Sequence, residues 1–160
     1  MTCPAGGERG LTPGEVALVR RVFGDAIDVS SCAIRRRCWF PLQSARTTMA
    51  PMGHLHFHPA SANYCDDFAC ADLSLQGHFI HEMTHVWQTQ QKGRWYLPLM
   101  RHPFCRYHYT LRPGWKLERY GIEQQAEIVR HAFLMMQGQR VGGAPGLDAY
   151  LPILPFSPAA

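Results

Sequence analysis

The sequence predicts one small α+β domain, built on a central helix, a second long helix downstream of it and a short β-sheet. Three observations lead there. Apolar residues recur at helical spacing in two stretches, residues 74–93 and 121–137. Two upstream stretches, 29–40 and 53–59, hold β-compatible or strictly alternating residues. At 160 residues and 46% apolar composition, the chain is sized for one domain and long enough to bury its own core.

Thr12-Pro13-Gly14-Glu15 reads as a helix start. Threonine caps it, proline takes the first helical position, where its missing N–H is not needed, and glutamate three residues after the cap closes a capping box. Val16, Val19 and Phe23 then share one face up to a stop near Gly24. Residues 29–40 predict a strand, as do residues 53–59, whose alternation sets His54, His56 and His58 on one face. That face is read as the lining of a wet cleft rather than a second metal site, because no carboxylate is interleaved. Asp72 or Ser74 caps the central helix, which buries Leu75, Phe79, Ile80, Met83, Val86 and Trp87 and ends near Gly93. The next helix runs from about Gly121 to Gln137 on Ile122, Ala126, Val129, Phe133 and Met136, with Gly138 as its stop.

Between those helices the chain is too aromatic for a plain loop, and a strand or hairpin over the site is expected. After Gly142-Gly143, the prolines at 145, 152, 155 and 158 exclude regular helix and predict an extended segment on the surface. The expected division is an N-terminal tail at 1–10, a domain at 11–143 and a Pro-rich extension packed on it at 144–160.

A formal net charge of +4 is modest, and no nucleic-acid partner is expected. Nine histidines direct attention to metal or proton chemistry. From Gly93 to Leu117 the chain carries Arg94, Arg101, Arg106, Arg112 and Lys116 without an acid, either a solvated basic loop or a surface for an anionic ligand. No stretch approaches the roughly 18 apolar residues of a membrane span, and residues 1–10 lack the apolar centre of a secretory signal. No membrane span is expected, and synthesis in the cytoplasm is. Six cysteines at irregular spacing, with no CxxC pair, predict free thiols rather than a disulfide framework or a cysteine zinc knuckle.

The chemistry concentrates in His81-Glu82-Met83-Thr84-His85, an HExxH motif inside the central helix. Residues four apart lie one helical turn above each other, so both imidazoles can reach one cation while Glu82 faces the open coordination position. Catalytic zinc takes three protein ligands and keeps a fourth position free. Glu123 and Glu127, one turn apart on the downstream helix, are the candidates for the third ligand.

HExxH followed by Glu123-Gln124-Gln125-Ala126-Glu127 resembles the E-x-x-A-[DE] gluzincin pattern of zinc metallopeptidases, with glutamate at 127 where those families usually have aspartate. The resemblance implies a zincin-like domain with Glu123 as third ligand and Glu127 as hydrogen-bond partner of a ligating histidine. More closely, residues 81–88 and 120–129 resemble bacterial proteins of the Vgr-related or Rhs-element group, which are similar to the HExxH core domain associated with contractile injection systems. Leu11-Thr12-Pro13-Gly14-Glu15 and Tyr64-Cys65-Asp66-Asp67-Phe68 share the likeness, so it runs from Leu11 to about Gln137. It implies secretion-apparatus proteins as partners and export by a type VI or related system outside the Sec route.

The expected function is a zinc-dependent metallohydrolase, a metallopeptidase in which Zn2+ is held by His81, His85 and Glu123 and Glu82 is the general base. Tyr107, His108, Tyr109 and Tyr120 are the candidate oxyanion donors, with Tyr107 and Tyr109 carried forward as catalytic. Its substrate is expected to be a protein, a peptide or a cell-wall peptide. The alternatives are a cell-wall amidase or peptidase, or a zinc-stabilised binding or cargo module without catalysis.

Overall fold

Glu15 organises the first third of the chain. A computed structural model describes residues 2–157; Met1 of the expected tail and Pro158 of the expected extension lie outside the described residues. The helix α1 (Pro13–Phe23) begins as its sequence requires: Thr12 accepts from the Glu15 backbone, and the Glu15 carboxylate accepts from the Thr12 backbone at 2.8 Å. The same carboxylate, fully buried, receives both terminal nitrogens of Arg9 at 2.7 and 2.8 Å and the Phe68 amide at 3.0 Å. A buried charge is tolerated only when paired and hydrogen-bonded, and here every carboxylate oxygen is.

Arg9 belongs to β1 (Glu8–Arg9), a strand inside the stretch expected to be a tail. It runs antiparallel to β2 (Ile34–Arg35), which is parallel to β3 (Leu55–His56), giving the order β1-β2-β3. The two expected strands are thus present but each is cut to two residues. A 3-10 turn at Val29–Ser31, capped by Asp28, interrupts the first. The cleft expected along His54, His56 and His58 is corrected. Leu55, His56 and Phe57 are all buried, and burial first, then Arg35, push the His56 imidazole down to about 4, so it is a neutral interior residue.

Two long helices form the centre. Asp72 caps α2 (Leu73–Lys92) by accepting from Leu75 N at 2.9 Å, and Gly93 ends it at φ 95, a conformation glycine adopts without strain. Downstream, α3 (Tyr96–Met100) is a single short helix, and α4 (Ile122–Met136) starts at Gly121, whose amide is capped by Gln124 at 3.0 Å. The two long helices pack directly, with Phe79, Ile80 and Met83 in one core with Val129, Ala132 and Phe133. At Gly77 a Cβ would stand 3.1 Å from Leu134, so the close approach of α2 and α4 uses the missing side chain.

The strand or hairpin expected between these helices is absent among the described residues; α3, coil and a 3-10 turn at Leu117–Arg119 take its place. Prolines at 98, 103 and 113 remove ladder donors, and the aromatics pack by their rings instead, Tyr109 and Trp115 against Tyr120 at 6.4 and 5.3 Å. The C-terminal segment also differs from the expected extended course. It makes two 3-10 turns, Leu147–Ala149 and Leu151–Ile153, and buries Tyr150 and Phe156 in the core, the latter ring 4.8 Å from Phe23. No helix among the described residues is long and apolar enough to cross a membrane. All six cysteines are free; Cys32 is buried beside the sheet, and burial pushes its thiol up to about 12.

Candidate metal centre

Direct packing of α2 on α4 brings three distant residues to one point. His81 and His85 project from successive turns of α2, and Glu123 from the first turn of α4, where the helix dipole favours an acid. The Nε2 atoms of His81 and His85 lie 3.3 and 3.1 Å from Glu123 Oε2, and the three ligand atoms fall within 4.8 Å of one another. All three side chains are buried. Among the described residues this is the one group of histidine, cysteine or carboxylate side chains so arranged.

Tautomers decide whether the group suits a cation. Gln88 Nε2 donates to Ile122 O at 3.0 Å and to Gln125 Oε1 at 2.9 Å, while Gln125 donates its own amide to Tyr120 O. Gln88 Oε1 is therefore an acceptor, and His85 Nδ1, at 2.8 Å, must carry the proton it accepts. His81 Nδ1 likewise donates to the Glu127 carboxylate at 2.7 Å. With both Nδ1 atoms protonated, the neutral rings turn their Nε2 lone pairs toward Glu123. Two lone pairs and a carboxylate oxygen converging in a buried pocket call for a cation, and two imidazoles with one carboxylate are a donor set suited to zinc. His81 records the same demand: burial opposes its charged form, but the bonds to Glu123 and Glu127 outweigh it and push the ring up to about 9. Glu123 is held well below the usual carboxylate range by the two histidines in spite of burial.

Glu82 is buried, and its Oε2 has no hydrogen-bond partner; Oε1 is 3.9 Å from His78 Nε2, itself 2.7 Å from the Thr48 hydroxyl. Such an orphaned carboxylate oxygen is costly, which points to a use for it. Tyr107 stacks its ring on His81 at 6.2 Å and stays half exposed. Tyr109 departs from its expected place. Its hydroxyl is engaged by His131 Nδ1 at 2.6 Å and Tyr150 at 2.8 Å, and His131 Nε2 is 3.5 Å from Glu127, so Tyr109 stands behind Glu127. His108 gives its carbonyl to Gln124, and the Tyr120 hydroxyl accepts from Arg112 N, so neither side chain is drawn into the group.

No family model matches the chain. It is 41% identical over 137 residues to the type VI secretion system spike protein VgrG2b of Pseudomonas aeruginosa, a match covering 79% of this chain and 13% of that protein's length. A solved structure, the effector domain of Pseudomonas aeruginosa VgrG2b, superposes with a TM-score of 0.72 at 35% identity, covering 96% of this chain and 88% of that domain. The chain belongs to the VgrG2b effector-domain family. The Vgr-related likeness read from the sequence is correct at that level.

In this member of the VgrG2b effector-domain family, four residues assigned no role at the site from sequence alone surround it. Gln88 and Gln125 fix His85, and His131 backs Glu127. Arg101 brings its Nε to 3.4 Å from Glu123 Oε1, the oxygen turned away from the histidines. The spacing His85-x-x-Gln88 on a helix could have flagged Gln88, since positions three apart share a face. Arg101 is marked in the sequence only as one of the basic residues of the acid-free run at 93–117. Beside Glu123 and His85 a cavity of about 190 Å³ opens, walled by Trp39, Leu97, Arg101 and Ile122.

Proposed function

We propose that this domain is a zinc-dependent metallohydrolase, a metallopeptidase cleaving a peptide or amide bond, delivered by a type VI or related secretion system. One observation carries the chemistry: two imidazoles, each held at Nδ1 and turning Nε2 toward Glu123, stand next to a buried Glu82 whose Oε2 is unpartnered. The kinship with a type VI spike protein's effector domain supports the delivery and, with it, association with secretion-apparatus proteins.

His81, His85 and Glu123 would hold the ion. Zinc bound there would supply Lewis acidity, lowering the pKa of a water toward neutrality and polarising the substrate carbonyl. Glu82 Oε2 accepts the proton of the attacking water and returns it to the leaving amine. Tyr107, whose ring stacks on His81, would donate from its hydroxyl to the oxyanion; Tyr109 is not proposed for that task. A closed structural zinc site would have four protein ligands and no role for a base, whereas three converge among the described residues.

Glu82→Gln tests the reading. The variant should retain the metal and the fold while turnover on casein, or on purified cell-wall sacculi, falls by roughly a hundredfold or more, because an amide accepts no proton. Wild-type protein loaded with zinc that cleaves neither substrate, or a Gln variant with unchanged turnover, would overturn it.

A further inference from the structure

The largest apolar side chains left in solvent are not scattered. Of the nine large hydrophobic residues exposed among the described residues, all but Leu151 come from residues 39–42 and 95–107. Leu42, Leu99 and Phe104 are 87, 80 and 84% exposed. The two segments meet: Trp39 and Leu97 wall one cavity beside Glu123, and Met100 and Phe104 border the next. An apolar surface of this kind on a soluble domain marks a contact with something else.

Charge says what that something is. Residues 29–65 contain no acid, and neither do residues 93–117. Glu8 occupies Arg35 and Arg37, but Arg94 and Arg106 are exposed, with no carboxylate partner among the described residues. Arg94 lies over the Trp95 ring at 5.2 Å, so a cation and an amphipathic aromatic stand together at the rim. Protein interfaces mix the two signs of charge and need fitted pockets for their anchors. Protruding apolar tips with Arg94 and Arg106 beside them need neither in a fluid hydrocarbon layer beneath anionic headgroups.

We infer that the face built from residues 39–42 and 95–106 docks on an anionic lipid bilayer. Leu42, Leu99 and Phe104 enter the acyl boundary, Trp95 lies at headgroup level, and Arg94 and Arg106 meet lipid phosphates. Docking turns the cavity beside Glu123 toward the bilayer. The inference requires no hydrolysis, so it stands or falls apart from the metallohydrolase reading.

Co-sedimentation of the 160-residue chain with vesicles tests it. Vesicles of phosphatidylglycerol and phosphatidylcholine in equal parts should carry the protein down, with Trp emission shifted to the blue, and pure phosphatidylcholine should not. Arg94→Gln with Arg106→Gln should weaken binding by about 30-fold, the sum of two near-surface arginines. Leu99→Ser with Phe104→Ser should abolish the blue shift; both side chains are in solvent, so thermal unfolding by circular dichroism should match wild type. Failure to sediment with anionic vesicles would overturn the inference, as would undiminished binding by the serine variant. If instead the protein self-associates in solution, and the serine variant abolishes that while vesicle binding is absent, the face belongs to a second copy and the bilayer is excluded.

Discussion

Gln88 Oε1 lies 2.8 Å from His85 Nδ1, and the Gln88 amide nitrogen is committed to Ile122 and Gln125 on the far side, so one side chain sets a histidine tautomer and ties it to the start of α4. Gln88→Met removes the acceptor at similar volume. Zinc affinity should fall by roughly 10- to 100-fold, the usual loss when a partner of a ligating histidine is removed. Gln88→Glu keeps an acceptor for His85 and should fall between Met and wild type. Competitive chelator titration measures all three; equal affinity in the Met variant would show that His85 is oriented without Gln88.

Glu123 and Glu127 share a stripe of α4 but do different things: one faces both Nε2 atoms, the other takes His81 Nδ1. Glu123→Ala should leave two protein ligands, too few for a stable catalytic zinc. Glu127→Ala should weaken binding by about 10- to 100-fold and leave it measurable. The same titration in which Glu127→Ala loses zinc and Glu123→Ala keeps it would reverse the two roles.

The pH dependence of the metal-free protein follows from His81. Its folded value of about 9 lies above the ordinary 6.5, so the proton stabilises the fold. That contribution is complete below 6.5 and is lost as pH rises through about 9. Zinc bound through His81 as proposed would have to displace this proton, so affinity should climb across the same window. Urea unfolding in chelator and zinc titration, each run from pH 6 to pH 9.5 at intervals of about half a unit, should give slopes of opposite sign. Parallel slopes would exclude His81 as the group responsible.

Packing against α1 supplies a test away from the centre. A Cβ on Gly14 would stand 2.6 Å from the Ala69 Cβ, and both atoms are fixed to backbone. Gly14→Ala should destabilise by about 1–3 kcal/mol, the range of overpacking. Adding Ala69→Gly should return most of that, which a double-mutant cycle in urea reads directly. Additive losses would mean the contact is not the cause.

Much of this was legible in the sequence where a local rule governs. Thr12, Glu15, Asp72 and Gly93 mark helix ends because caps and turns act within four residues, and the HExxH spacing places two imidazoles on one face of α2. What was not legible depends on distant parts of the chain. β1 is two residues whose pairing with Arg35 and Ile34 leaves no alternation to read. Arg101 reaches Glu123 only once α3 is packed on α2, and nothing local shows that the hydroxyl of Tyr109, expected as an oxyanion donor, meets His131 and Tyr150. The buried Tyr150 and Phe156 lie among prolines that mask their apolar pattern.

The six free cysteines bear on the proposed delivery by a secretion system, which would carry the domain from one compartment to another. Oxidants attack the thiolate, and burial keeps the Cys32 and Cys65 thiols at about 12 and about 11, so almost none of it exists at neutral pH. The described fold holds no disulfide, and at these two positions the thiol form, slow toward oxidants, prevails. If the domain is delivered as proposed, passage from a reducing to an oxidising space would leave the buried Cys32 as it is, and no redox maturation step would be required there.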